Sequence, residues 1–209
     1  MIQSYHDLPV GLYLDICKVA EDDTLDDLTR QVRVIALLSG RTEDEVLDMP
    51  ITDYQKAAAA SSFLMEPYEP ARRIASSYKV GGFDLRPLKD WTKMTTAQFI
   101  DYKTFTGKGI EECMVEIVSI FLVPEGHKYN SGYDITDVHA AVRDHLPVAD
   151  VLDLTAFFFA QFSLLLKDSL TSLKRRLSTM EPGPERERLA TMILASETRL
   201  GSAMAGSTT

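Results

Sequence analysis

The chain has 209 residues, 45% of them hydrophobic and 25% charged, and carries a net charge of −9. This composition is ordinary for a soluble globular protein with a sizeable core. Residues 1–70 contain 14 acidic and 5 basic residues, whereas residues 71–209 contain 17 of each, so the amino-terminal third holds the whole excess of negative charge. An acidic surface keeps helices soluble, attracts basic partners and repels nucleic acid, so no nucleic-acid partner is expected.

The amino-terminal third is predicted to consist of helices. Asp7 and Pro9 begin a first helix that reaches about Ala20, because proline is tolerated in the first helical turn. A second helix follows Asp22-Asp23 and ends at Gly40. Its apolar side chains recur at helical spacing, and they are Leu25, Leu28, Val32, Ile35 and Leu38.

Three capping boxes predict three more helix starts. Each box places a threonine hydroxyl three residues before a Glu or Gln side chain, so that the two satisfy each other's backbone N–H groups. The boxes pair Thr42 with Glu45, Thr52 with Gln55 and Thr95 with Gln98. They predict helices at about residues 43–48, 53–65 and 96–105.

Residues 77–86, SYKVGGFDLR, predict a β-hairpin within a segment of about residues 74–87. The Gly81-Gly82 turn supplies the positive φ angles that a two-residue hairpin loop needs. The resulting register pairs Val80 with Phe83, Lys79 with Asp84, Tyr78 with Leu85 and Ser77 with Arg86. One face is then apolar, and the other is expected to carry a Lys79–Asp84 charge pair. Because a lone hairpin is marginally stable, its apolar face must pack on helices or its edges must pair with other strands.

The carboxyl-terminal half is also predicted to be helical. A helix at about 110–122 precedes an exposed loop at 124–133, and Thr136 caps a helix that reaches about Asp144. The longest predicted helix, residues 154–177, is apolar nearly all round in its first half and is expected to be the central helix of the core. The apolar run Leu154–Leu166 is too short and too polar to span a bilayer, so no membrane partner is expected.

Together these elements predict a mainly α fold, a multi-helix bundle around a long central helix at about 154–177 with one β-hairpin at about 74–87. The expected domains are an acidic helical region at 1–66, a hairpin plus helical core at 67–180 and a polar tail at 181–209. A single domain over 1–180 is the alternative. Within the tail, residues 185–199 predict a weak helix and residues 201–209 predict disorder.

The sequence predicts no catalytic, cofactor or metal site. Gly107-Lys108-Gly109 lacks the flanking residues of a phosphate-binding loop, and the histidines lack the spacing of a zinc site. Paired carboxylates such as Asp22-Asp23 and Asp26-Asp27 stand at helix starts, where they offset the helix dipole. A non-enzymatic protein is therefore expected. No signal-peptide pattern is found at the amino terminus, which favours the cytoplasm.

Two segments carry a family resemblance. They are YKVGGFDLRPLKDWTKMTTAQFIDYKTF and VEIVSIFLVPEGHKYNSGYDITDVHAAVRDHLPVADVLDLTAFFFAQF. Together they resemble small proteins encoded among the virion genes of tailed bacteriophages. Their organisation, a short strand element before a helical body, is similar to that of phage tail-assembly chaperones. The resemblance covers roughly residues 70–177.

The resemblance implies transient binding, without a cofactor, to an aggregation-prone virion protein such as the tape-measure or tail-tube protein. The expected place is the cytoplasm of the bacterial host, and an oligomer or a place in the virion is compatible with this role. Hairpin edges can accept a partner strand, and Met- and Phe-rich helices can offer an adaptable groove. The candidate partner-binding residues are Tyr78, Val80, Phe83, Leu85, Phe157 and Phe158.

Three alternatives remain open from the sequence. In the first, the protein is a permanent structural component of the phage head-tail region or tail. In the second it is a small helical enzyme, whose carboxylates act in a cleft under the central helix and which requires a converging set of buried polar groups. In the third, residues 15–53 mimic nucleic acid and block a DNA-binding protein, and such binding weakens steeply with salt.

Overall fold

The computed structural model describes residues 1–71, 73–110 and 112–205. The fold is mainly α with a small antiparallel sheet, as the sequence predicts. The helices are α1 (Val10–Ala20), α2 (Asp27–Ser39), α3 (Glu43–Leu47), α4 (Ile51–Ala60), α5 (Thr96–Thr106), α6 (Met114–Ile120), α7 (Ile135–His145), α8 (Val148–Thr179) and α9 (Pro184–Ala205). Short 3-10 helices lie at Ser62–Met65 and Trp91–Lys93, and the strands are β1 (Tyr78–Val80), β2 (Phe83–Pro87) and β3 (Leu122–Pro124).

The chain divides into two compact units, Met1–Phe157 and Phe158–Thr209. The boundaries expected near residues 66 and 180 do not coincide with this division. Within the first unit, the backbone N–H of Val10 donates to the Leu146 carbonyl over 3.0 Å, and that of Val148 donates to the Leu8 carbonyl over 2.7 Å. These hydrogen bonds join the amino-terminal segment to the α7–α8 junction, so the acidic helices share one unit with the hairpin.

The predicted hairpin is confirmed in its turn and register. Tyr78 pairs with Leu85, Lys79 with Asp84 and Val80 with Phe83. Both turn glycines have positive φ, +53° at Gly81 and +85° at Gly82. The fourth predicted pair, Ser77 with Arg86, lies beyond β1, which begins at Tyr78.

Two details of the sheet differ from the prediction. Residues 122–124, expected at a helix end and in a loop, form β3, which pairs antiparallel with β2 and makes β2 the central strand. Within the described residues Lys79 and Asp84 make no ion pair, although they are cross-strand partners, and the Asp84 Oδ1 atom is buried without a hydrogen bond. The ion pair across the sheet joins Arg86 to Glu125 instead.

Two of the three capping boxes form. Thr42 with Glu45 begins α3, and Thr95 with Gln98 begins α5, each with both reciprocal hydrogen bonds. The box predicted at Thr52 is wrong, because α4 already begins at Ile51 after Pro50 and has no side-chain cap. The Thr136 cap is also wrong, since the Asp134 carboxylate accepts the hydrogen bond from the Thr136 backbone N–H.

The core of the first unit lies between the sheet and the helices that surround it. Its largest fully buried side chains include Leu8, Ile35, Leu38, Leu85, Ile120, Phe121, Leu146 and Leu154. The long helix contributes to this core through its first turns, where Val148, Ala149 and Val151 are fully buried. It begins six residues earlier than the predicted start at 154, and after Phe158 its described side chains are half-buried or exposed.

Two further features concern α8 and the carboxyl terminus. By length and composition alone, α8 is capable of crossing a membrane: an 18-residue window has a mean hydropathy of 1.6 and is 33% buried. The prediction that this segment is too short concerned only residues 154–166, whereas the helix has 32 residues.

The last helix, α9, extends through Ala205. Residues 201–205 are therefore helical, although the sequence predicts disorder there, and residues 206–209 lie outside the described residues.

Candidate binding surfaces

The apolar face of the hairpin is packed inward. Tyr78 is 6% exposed, Val80 7% and Leu85 0%, and Phe83 is half-buried. This burial agrees with the expectation that the apolar face of the hairpin packs on other parts of the chain. These four candidate partner-binding side chains therefore lie in or beside the core, where the folded protein does not present them as an apolar surface.

The edges of the sheet offer little backbone to a partner strand. The order β1-β2-β3 makes β1 and β3 the edges, and each has three residues. The turn at Gly81 lies against α7, since a Cβ atom built on Gly81 would be 2.5 Å from the Ala141 Cβ. Strand addition at so short an edge forms few hydrogen bonds, which makes the hairpin a weak candidate for β-augmentation.

The two remaining candidate residues lie in α8 beside the boundary between the units. Phe157 is half-buried and Phe158 is 5% exposed. The accessible apolar surface begins one residue later, at Phe159, which is 43% exposed. Leu164 is 54% exposed on another side of the helix. The sequence indicates contacts on several sides of this helix but does not show which phenylalanine is exposed.

Four apolar side chains share one face of α8, with the polar residues Ser163 and Lys167 between the first and the second of them. Leu170, Leu173 and Leu177 are half-buried and share a helix face with Phe159, because their spacings of 11, 14 and 18 residues are close to whole numbers of turns. We call these four residues the α8 stripe. The spacing of the three leucines is the pattern by which one helix packs against another. The same unit contains α9, in which Ile193 is 5% exposed.

A second apolar surface lies among the acidic helices of the first unit. A pocket of about 200 Å³ is lined by Leu28, Val32, Val46, Leu47, Met49, Ile51 and Tyr54, and we call it the α2–α4 pocket. Its floor includes Val32 and Val46, which are 4% and 1% exposed. Its rim includes Leu28, Leu47 and Ile51, which are 62%, 65% and 67% exposed. Leu28 belongs to the apolar spacing predicted for α2, but its side chain lies at the rim of the pocket.

Acidic side chains occur in the same segment of the chain as the residues that line the α2–α4 pocket. Asp44 and Asp48 are exposed on either side of Leu47 in the chain, and neither makes an ion pair with another described residue. The two arginines of α2 are already paired. Arg30 Nη1 lies 2.9 Å from Asp27, and Arg33 Nε lies 3.1 Å from Glu43. The result is an apolar pocket in a negative environment.

One set of buried polar groups converges near the start of α8. Asp153, 9% exposed, accepts a hydrogen bond from the Ala71 backbone N–H over 2.6 Å and one from the Tyr68 hydroxyl over 3.1 Å. Both donors come from the Pro-rich segment after α4, so Asp153 holds that segment against the helix. This set satisfies one requirement of the enzyme alternative, but the carboxylate is engaged by the chain's own groups.

The pKa values of three groups near Asp153 are raised. Burial raises the pKa of Asp150, one turn before Asp153, and the Asp153 charge raises it further. Burial raises the pKa of Tyr78 to about 12. Burial and the hydrogen bond to Asp153 raise the pKa of Tyr68 to about 12. In the part of the chain that the structure describes, no group of three or more His, Cys, Asp or Glu side chains is placed to hold a metal ion.

Comparisons with known proteins leave these surfaces without a precedent. No protein-family model matches the chain, and no curated protein or solved structure is found to be similar to it.

Proposed function

We propose that this protein is a non-enzymatic factor in tailed-bacteriophage assembly that binds another virion polypeptide, of the tape-measure or tail-tube kind, as a tail-assembly chaperone does. The observation that supports the proposal is the incompletely buried apolar surface of α8. Phe159 is 43% exposed, and the leucines of the α8 stripe are half-buried. A contiguous exposed apolar patch marks a site that a partner covers, and we propose Phe159 and these leucines as such a patch.

The arrangement suits a helical partner more than a strand. Leu170, Leu173 and Leu177 of the α8 stripe repeat at intervals of three and four residues, a spacing that a second helix can follow by knobs-into-holes packing. The hairpin, in contrast, buries its apolar face and leaves edges of three residues. We therefore propose the α8 stripe as the principal contact, in place of the six residues predicted from the sequence.

Co-purification tests this proposal. The full chain is co-expressed with the tape-measure or tail-tube protein of the same phage, and the complex is measured by affinity capture and size-exclusion chromatography. Phe159→Gln combined with Leu173→Gln places two polar side chains on the stripe and is expected to abolish the complex. Ser172→Gln, at an exposed position of the same helix but off the stripe, is the matched control and retains it.

Three outcomes count against the proposal. The wild-type chain captures neither virion protein, or the stripe variant and the control variant bind equally well. In the third outcome the chain floats with lipid vesicles in the absence of any partner, which assigns α8 to a membrane. Mass spectrometry of finished virions separates the chaperone role from that of a permanent component, because a chaperone leaves the particle.

The small-enzyme alternative has one observation in its favour, the convergence of Asp150, Asp153 and Tyr68. Asp153 accepts hydrogen bonds from Tyr68 and Ala71 of its own chain, and these bonds hold the segment after α4 against α8.

The nucleic-acid-mimic alternative has the acidic amino-terminal third in its favour. The apolar rim of the α2–α4 pocket interrupts that negative surface with three exposed side chains.

A further inference from the structure

We propose that the α2–α4 pocket binds a basic amphipathic helix, with an apolar side chain of that helix in the pocket and its Lys or Arg side chains over the acidic rim. The inference rests on the proposed function, since it assigns the helix to a partner polypeptide. It concerns a different surface from the α8 stripe, so the two can be tested separately.

The lining of the pocket matches an apolar anchor. The seven residues that line it are aliphatic or aromatic apart from the Met49 thioether and the Tyr54 hydroxyl. Methionine adapts its shape to different partner side chains. The volume of about 200 Å³ is below the range of about 300–1,000 Å³ that is usual for small-molecule sites. A pocket of this size suits one or two side chains of a helix that lies in a groove.

Contacts between the helices connect the walls of the pocket. The Tyr54 hydroxyl of α4 donates to Gln31 Oε1 of α2 over 2.7 Å. The Arg33–Glu43 ion pair connects α2 to the first turn of α3, and the Thr42–Glu45 capping box holds that turn. Three rim side chains are exposed beside a pocket that is already formed without a partner, and a formed pocket lowers the cost of binding.

The charges around the pocket select the sign of the partner. Residues 26–56 contain seven carboxylates, three arginines and one lysine, and Lys56 Nζ lies 3.1 Å from Asp53. Arg30 and Arg33 are engaged in ion pairs, whereas Asp44 and Asp48 make none with a described residue. A helix with Lys or Arg beside its apolar stripe is attracted to this rim, and an acidic helix of the same apolar pattern is repelled. Charge complementarity therefore favours a basic partner over a second copy of this acidic chain.

Fluorescence anisotropy with the full chain tests the proposal. The probe is a labelled Leu–Lys amphipathic peptide of about four helical turns, and its Leu–Glu counterpart is the charge control. Leu47→Gln with Ile51→Gln alters only exposed rim positions and is expected to raise the Kd for the Leu–Lys peptide about tenfold or more. Ile100→Gln, which is 57% exposed on α5, is the matched control and keeps the Kd within about twofold.

The rim charges have their own signature. Asp44→Asn with Asp48→Asn is expected to raise the Kd several-fold at low salt and to reduce its dependence on salt, because exposed charges are screened. Circular dichroism checks that each variant keeps its helices.

Several outcomes overturn the proposal. One is a Leu–Glu peptide that binds as tightly as the Leu–Lys peptide, and another is a rim variant that binds like the Ile100→Gln control. A third is sedimentation that shows a dimer lost in the rim variant, which assigns the pocket to a second copy. If the rim variant loses the peptide but still captures the virion protein through α8, the pocket proposal holds for the peptide while the proposed function stands independently. Loss of virion-protein capture by the wild-type chain counts against the proposed function alone.

Discussion

Gly81 in the hairpin turn lies directly against Ala141 of α7. A Cβ atom on Gly81 would be 2.5 Å from the Ala141 Cβ and 3.1 Å from its Cα, closer than real side chains approach. The same glycine has a φ of +53°. Two separate requirements, a left-handed backbone and a close approach of two elements, therefore coincide at one residue.

We expect Gly81→Ala to destabilise the protein more than Gly82→Ala. Both glycines have positive φ, so each alanine costs about 1–2 kcal/mol for the left-handed backbone. Only Gly81 has a neighbour within contact distance, and the clash with Ala141 adds about 1–3 kcal/mol. Urea unfolding of the two variants measures the difference, and equal losses would show that the hairpin does not pack on α7 in this way.

We expect the Asp153 carboxylate to hold the segment after α4 in place. Asp153→Ala leaves the Ala71 backbone N–H without its acceptor and costs about 1–3 kcal/mol. Asp153→Asn keeps an oxygen that accepts both hydrogen bonds, so its loss is smaller. Limited proteolysis with chymotrypsin gives a local readout, because cleavage after Tyr68 becomes faster in the alanine variant. Equal cleavage of both variants and the wild type would exclude this role.

We expect the alkaline titration of Tyr78 to be late. Burial, which disfavours the charged phenolate, raises the pKa of Tyr78 from 10.0 to about 12. Because the folded-state pKa lies above the unfolded value, the contribution of this group to stability is complete below pH 10 and is lost as the pH rises through about 12. Tyrosinate absorbance of the wild type, compared with Tyr78→Phe, identifies the late phenol. An absorbance difference that already appears at pH 10 would contradict this prediction.

The two capping boxes are expected to differ in their contribution to stability. Gln98 is 3% exposed, and its Nε2 also donates to the Ile120 carbonyl over 2.8 Å. Gln98→Ala therefore removes a cap and leaves a buried carbonyl unsatisfied, at about 1–3 kcal/mol. Glu45→Ala removes only an exposed capping interaction and is expected to cost less. Thermal unfolding compares them, and a larger loss at Glu45 would contradict the buried role of Gln98.

The hairpin could be predicted in detail because its signals are local and agree with one another. Two glycines fix the turn, and the alternation of Tyr78, Val80, Phe83 and Leu85 fixes the register. The third strand could not be predicted in the same way. Residues 122–124 are a short apolar run at the end of a helix, and they become a strand only because β2 supplies backbone partners 35 to 39 residues earlier in the sequence.

The binding surfaces were harder to predict because burial depends on distant neighbours. Leu28 has the same helical spacing as Val32 and Ile35, yet it is 62% exposed while they are 4% and 0% exposed. Its place in the first turn of α2 puts it at the rim of the α2–α4 pocket, beyond the core cluster that covers the later turns. Periodicity identifies the apolar face of a helix but does not show how many of its turns are buried by the rest of the protein.

Helix starts show the same limit. The Thr95 box begins α5 as predicted, whereas the Thr52 pattern does not form because Pro50 fixes the backbone two residues earlier and α4 begins at Ile51. A capping motif therefore competes with a neighbouring proline, which is itself favourable at a helix start.

Hydrogen exchange tests most directly whether the protein acts by presenting apolar helical surface to another polypeptide. The full chain is measured alone and in complex with the co-expressed tape-measure or tail-tube protein. We expect slower exchange in α8 from residue 158 to residue 177 and no change in the hairpin at residues 78–87. Slower exchange confined to the hairpin or to the surroundings of Asp153, with α8 unchanged, would contradict the proposed role of the α8 stripe.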